Sequence, residues 1–179
     1  MSINPSNQKT FPQFLRISKE CLFDSFGLEI HNVQLEPESA EYDACYFQIQ
    51  KKNIRFRKAK ITSKKVGQFV TLWKRSKDGP IEPFKSKDDI DIFIIATLNK
   101  NRVGHFIFTK QILDEKGILS GKHEGKRGFR VYPAWDIPDN KQGLTTQKWQ
   151  LPYFVESNKN LDGMHVIGKL LDIKIKLHS

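Results

Sequence analysis

Residues 51–77 carry eleven Lys and Arg and no Asp or Glu. Their local charge of +11 exceeds the +10 of the whole chain, so the other residues together sum to about −1. Apolar residues are woven through the segment, KKNIRFRKAKITSKKVGQFVTLWKRSK, so it reads as an ordered strand and helix. The fold must therefore carry a dense cationic surface on regular structure. Such a surface faces a polyanion, nucleic acid being the commonest, or serves as a solvated basic face that keeps the chain soluble.

With 179 residues the chain is long enough to bury one hydrophobic core, and thirteen Phe, four Tyr and three Trp supply aromatic mass for it. A single α/β domain is expected over residues 11–179, after a disordered polar stretch at 1–10. No run approaches the ~20 apolar residues that span a bilayer. The opening MSINPSNQKTF lacks a signal-peptide core. Cys21 and Cys45 have no second Cys or His at metal-ligand spacing, and two free thiols fit a reducing cytoplasm. These features point to a cytoplasmic protein without a membrane partner.

Phe14, Leu15, Ile17, Leu22, Phe23 and Phe26 have helical spacing, with Gly27 as the stop. A strand is expected near residues 28–35, then a polar turn, EPESAE. Alternation in YDACYFQI and IRFRKAKIT, on either side of QKKN, predicts a hairpin. Thr62 or Ser63 can cap a helix over Lys64–Arg75 with Val66, Phe69, Val70 and Trp73 as its buried stripe. Ile90–Leu98 is apolar on both faces and reads as a central strand, joined through NKNR to VGHFIFT. Lys110–Lys116 predicts a short helix, Phe129–Tyr132 a strand, 147–155 a short helix ending at Pro152, and His165–Leu177 a last strand. This order implies an α+β fold, a central mixed sheet flanked by helices.

A two-residue turn at Lys51 and Lys52 would set Ile49 opposite Ile54, Phe47 opposite Phe56, Cys45 opposite Lys58 and Asp43 opposite Lys60. All eight then share one side of the sheet. At its charged end Asp43, Lys58 and Lys60 converge, beside the N-terminus of the expected helix, whose unpaired N–H groups favour phosphate. An Asp opening one strand, an x-x-K element on its partner and a helix beyond resembles the P-D…(D/E)-x-K nuclease core. Lys58 stands where the second acid belongs. A divalent cation and an ammonium ~4 Å apart repel by about 8 kcal/mol at an effective dielectric of ~20. Asp43 and Lys60 are therefore weak catalytic candidates and no metal site is expected. Mg²⁺ enters only under an alternative in which Glu41, Asp89 or Asp91 is relocated to the site. Otherwise Lys58 and Lys60 grip phosphate as fixed cations, or Asp43 and Lys60 form a cross-strand ion pair.

In GKHEGKRGFRVYPAWD, Lys126, Arg127 and Arg130 can pair with phosphate, while Tyr132 and Trp135 can stack on bases. The plainer reading puts Phe129, Val131 and Trp135 in the core. GILSGK is one residue short of a phosphate loop and has His123 where Ser or Thr belongs, which leaves an anion-contacting loop or a basic turn.

Three stretches, FRKAKITSKKVGQFVTLWKR, DDIDIFIIA and EGKRGFRVYPAWD with a later KW, resemble the MepB family of bacterial proteins over about residues 11–155. The family takes its name from an operon that also encodes a multidrug efflux pump, which implies a cytoplasmic location and a place near drug response. The resemblance also implies a restriction-endonuclease-like core without an intact acid–acid–lysine site. The resulting expectation is a nucleic-acid-binding protein, DNA more than RNA, on a nuclease-like domain without catalysis or cofactor. Arg55, Arg57, Lys58, Lys60, Lys64 and Lys65 would form one wall of a basic cleft, and Lys126, Arg127 and Arg130 a second, with Tyr132 beside them. The alternatives are a metal-dependent nuclease with relocated acids and a module for a small anionic ligand or drug.

Overall fold

The longest apolar run of the chain becomes the middle of a sheet. Strand β8 (Ile92–Asn99) and strand β9 (Arg102–Thr109) form the expected hairpin, and Phe93, Ile94, Ile95, Ala96, Phe106 and Phe108 are fully buried. A strand covered on both faces needs apolar side chains in both directions. β3 (Lys52–Lys58) lies parallel to β8. β2 (Cys45–Ile49), β1 (Ile30–Leu35) and β11 (Phe154–Glu156) add antiparallel neighbours, giving the order β1-β2-β3-β8-β9-β11. The computed structural model that carries this mixed six-stranded sheet describes residues 11–157 and 161–172. The disorder expected at 1–10 lies outside the described residues.

Helices cover one face. α1 (Gln13–Ser18) runs on through a π turn and a 3₁₀ turn to Gly27, whose φ of 66° ends it as expected. With α4 (Leu161–Leu171) it packs Phe14, Leu15, Leu22, Phe23, Ile167 and Leu171 onto Phe47, Ile54, Phe56 and Ile94. The strand expected from His165 is therefore a helix as far as Leu171. Ile167 and Leu171, one helical turn apart, both reach the core. Residues 173–177 of that expected strand lie outside the described residues.

The other face carries a second layer. β4 (Lys60–Thr62), β5 (Lys65–Thr71) and β10 (Gly128–Val131) form a small sheet in the order β10-β5-β4. A two-stranded ribbon of β6 (Trp73–Arg75) and β7 (Ile81–Pro83), with helices α2 (Lys110–Glu115) and α3 (Lys141–Gln150), completes it. Val70, Leu72, Phe129, Val131, Leu113 and Leu119 pack there against Phe93, Ile95, Phe106 and Phe108.

The helix expected over Lys64–Arg75 does not form; the segment is β5 and β6. Val66, Val70 and Thr71 are β-branched, and Gly67 sits at φ +82°, which no helix accommodates. Gln68, Val70 and Leu72 are buried, while Phe69, Thr71 and Trp73, pointing the other way, are half-buried. Apolar residues on both faces imitate the i, i+3, i+4, i+7 spacing of a helix. The hairpin register also differs. Cys45 opposes Phe56, Phe47 opposes Ile54 and Ile49 opposes Lys52, so the turn falls on Gln50 (φ 51°) and Lys51. A two-residue offset keeps the apolar side chains of β2 and β3 on their expected face, and Cys45, Phe47, Ile49, Ile54 and Phe56 are all buried. α3 starts at Lys141, earlier than the expected 147, because the Asn140 Oδ1 accepts the Gly143 N–H at 2.8 Å and caps it.

Candidate functional site

Folding divides the cationic segment in two. The 3₁₀ turn Pro37–Tyr42 and its flanks bring acids onto the first part. Glu36 pairs with Arg55 at 2.8 Å and with Arg57 at 2.5 Å, Glu41 with Lys60 at 2.6 Å and Glu38 with Arg75 at 2.8 Å. Lys74 pairs with Asp88 at 2.6 Å. Arg57 is only 1 % exposed and cannot reach a ligand. The Arg55 guanidinium lies 4.3 Å from the centroid of the Tyr46 ring.

The expected convergence of Asp43, Lys58 and Lys60 is not present. Asp43 stands at φ 48°, and its carboxylate accepts the Phe14 N–H at 2.7 Å, capping the first turn of α1. The Lys58 ammonium sits 5.1 Å from the Phe14 ring centroid, and Lys60 turns to Glu41 and the Tyr42 ring. With β5 extended, the helix expected over Lys64–Arg75 does not adjoin them; the helix N-terminus at Asp43 is that of α1, whose Phe14 N–H Asp43 already occupies. Among the described residues no group of three His, Cys, Asp or Glu is arranged to hold a metal ion. The GILSGK loop spends its backbone donors internally: Ser120 N–H on Phe84 O and Gly121 N–H on His123 O. Trp135 packs edge-on against Phe154, with Arg102 4.9 Å from its ring centroid, so it belongs to the protein's own packing.

The second part of the segment opens into a cleft of about 540 Å³. One wall is the small sheet, which supplies Lys64, Lys65 and Val66 from the β4–β5 turn and β5, and Phe129 and Arg130 from β10. The other wall is α3 with its cap, supplying Asn140, Gln142, Thr146 and Trp149. Lys116 at the end of α2 and Lys126 close one end. Five cations and one carboxylate, Asp139, line this hollow, and none of the five cations takes part in a salt bridge among the described residues. Lys64, Lys65, Lys116 and Lys126 are exposed. Arg130 is held in place by bonds from its guanidinium to Thr62 Oγ1 at 2.8 Å and Gly67 O at 3.2 Å.

The aromatic lining is rigid for identifiable reasons. The Tyr132 ring lies against two glycine backbones: a Cβ on Gly67 would stand 2.7 Å from its Cε1, and one on Gly143 3.4 Å away. The Tyr132 N–H donates to Gln150 Oε1 at 2.8 Å. Trp149 packs on Phe108 with ring centroids 5.6 Å apart. Of the residues expected to form a cleft, Lys64, Lys65, Lys126, Arg130 and Tyr132 meet in one hollow. Arg55, Arg57, Lys58 and Lys60 are absent from its lining, and Arg127 turns instead to Ile81 O. Lys116 and Trp149 were missed in the sequence. The one available signal was a single large aromatic in the otherwise polar KQGLTTQKWQ.

Two further findings concern relatives. A family model described as MepB-like matches residues 36–156. A solved structure, the crystal structure of MepB, is 32 % identical, with a TM-score of 0.72 over 83 % of this chain and 99 % of that one. No curated protein matches the chain. Among the described residues no helix is long and apolar enough to cross a membrane.

Proposed function

The chain belongs to the MepB-like family, and from the geometry of its cleft we propose that it binds nucleic acid, DNA foremost, without cleaving it. One observation carries this reading: Lys64, Lys65, Lys116, Lys126 and Arg130 surround a single concavity with aromatic walls and one acid. Elsewhere on the cationic segment Arg55, Arg57, Lys60, Lys74 and Arg75 already have carboxylate partners. Cations without a salt-bridge partner exchange counterions for phosphate, which is the main source of affinity for a nucleic-acid backbone. Arg130 offers its remaining N–H donors in a fixed fork, a good match to a phosphate, and the lysines act as point charges. A cytoplasmic site of action, near drug response, is part of the same reading; Cys21 and Cys45 are both unpaired thiols, which suits a reducing compartment.

Binding of a fluorescent oligonucleotide, followed by anisotropy across a salt series, tests the proposal. Four to five phosphate contacts give a slope of log affinity against log salt of about −2.8 to −3.5 on a single strand and about −3.6 to −4.5 on a duplex. Replacing Lys64, Lys65 or Lys126 by Gln lowers the steepness by about 0.7 each on a single strand and about 0.9 on a duplex. Lys60→Gln and Arg55→Gln leave it unchanged, because their charges are already met by Glu41 and Glu36. A flat salt response, or no binding at low salt, refutes the proposal.

A further inference from the structure

We propose that the cleft takes unstacked bases, so that the ligand is a single strand and not a duplex; this rests on the nucleic-acid reading above. A hollow of about 540 Å³ has the size of a small-molecule pocket, in the range of roughly 300–1,000 Å³. A duplex carries its phosphates on a convex exterior with its bases stacked inside and could touch only the rim cations, leaving the aromatic interior unused. A strand with splayed bases uses both parts of the site: phosphates on the cationic rim, flat rings against the walls.

The walls suit that use. Trp149 is half-buried and backed by Phe108, so its ring is fixed and still open to the cleft. Lys116 Nζ lies over that ring, 5.6 Å from its centroid, so a cation on a flexible, exposed stem stands at the stacking face and can swing to a phosphate when a base takes its place. Tyr132 is pinned between Gly67 and Gly143, a second ring that needs no ordering on binding. Gln142 and Thr146 face the same hollow with an amide and a hydroxyl, groups that can bond base edges of more than one kind. The site therefore favours unpaired bases generally over one sequence.

The test uses the full chain and four probes at one salt concentration: a single-stranded oligonucleotide, its duplex, an abasic strand with the same number of phosphates, and a mononucleotide. Each stacked base contributes roughly 5- to 150-fold in affinity. The single strand should bind at least about tenfold more tightly than the duplex or the abasic strand. Trp149→Ala should lower single-strand affinity enough to remove most of that preference, and Trp149→Phe should retain it. Should Trp149→Ala fail to fold, the abasic strand alone decides the matter in unsubstituted protein. Equal binding of duplex, or of the abasic strand, overturns this inference and leaves the basic cleft as a backbone reader. Saturation by the mononucleotide at the strand's own concentrations overturns the strand as ligand. Failure of every polynucleotide overturns this inference and the reading beneath it together.

Discussion

Lowering the pH from 7 to 5 should destabilise the fold through one side chain, His105. It lies on β9 with no exposed surface, its Nε2 2.7 Å from Ser18 Oγ and its Nδ1 3.4 Å from Ser157 Oγ. Burial pushes its pKa down from 6.5 to about 3, since no carboxylate is at hand to favour the imidazolium. The folded state therefore resists a proton that the unfolded chain accepts below pH about 6.5. Stability is unaffected above that value, falls as the pH drops through it, and reaches its full loss below about 3. With those two values the loss is about 2 kcal/mol at pH 5 and about 3 kcal/mol at pH 4. For a domain of this size 2 kcal/mol corresponds to a fall in Tm of roughly 4–8 °C. Thermal melts across pH 5–7 measure it. His105→Gln keeps polar atoms near both hydroxyls but cannot titrate, so it should start less stable and show a flat profile over the same range. Asp88 does not interfere. Burial raises its pKa, but hydrogen bonds from the Lys74 ammonium and the Lys85 N–H outweigh burial and hold the carboxyl below its usual range, so its loss comes at lower pH. A wild-type melt that is flat from pH 7 to 5, or a His105→Gln profile as steep as wild type, refutes the reasoning.

Gly67→Ala places a Cβ 2.7 Å from the Tyr132 ring at φ +82°, so it should cost roughly 1–3 kcal/mol in denaturant unfolding and weaken ligand binding as the ring shifts. Glu36→Gln leaves the guanidinium of Arg57, 1 % exposed, without its counter-ion; a loss on the order of 3 kcal/mol in the same assay is expected. Glu38→Gln, at the exposed pair with Arg75, should cost under about 1 kcal/mol and serves as the comparison. Asp43→Ala should cost about 1 kcal/mol through the lost cap on α1 and leave oligonucleotide affinity unchanged, which separates a structural carboxylate from a site residue.

The central sheet was readable because its signal is local. Ile92–Asn99 is apolar on both faces wherever it sits, and Phe14, Leu22 and Phe23 have a spacing that only a helical segment buries on one side. β5 was misread for a related reason. Val70 and Leu72 are buried in the core, while Phe69, against Gly128 and Arg130 of β10, and Trp73 are half-buried on the opposite side, so the periodicity of one extended segment resembles that of a helix. Five cleft residues are legible from basic and aromatic character, but Lys116 and Trp149 come from helices packed beside the small sheet; the KW motif marks Trp149 as a family feature without showing that it faces the cleft, and nothing near Lys116 in the chain marks it.

The amino-acid order alone determined the family motifs, the buried hairpins and the accumulation of positive charge in residues 51–77. Only the tertiary structure decided which of those charges remain available. Glu36, Glu38 and Glu41 are remote in sequence from their partners, and the antiparallel β1–β2–β3 arrangement carries their turn onto Arg55, Arg57, Lys60 and Arg75. Coulomb attraction acts through a few ångströms of space and is indifferent to position along the chain. A run of like charge therefore records only potential: folding sets carboxylates against Arg55, Arg57, Lys60, Lys74 and Arg75, and leaves Lys64 and Lys65, which share a cleft with Lys116, Lys126 and Arg130, without a salt bridge among the described residues.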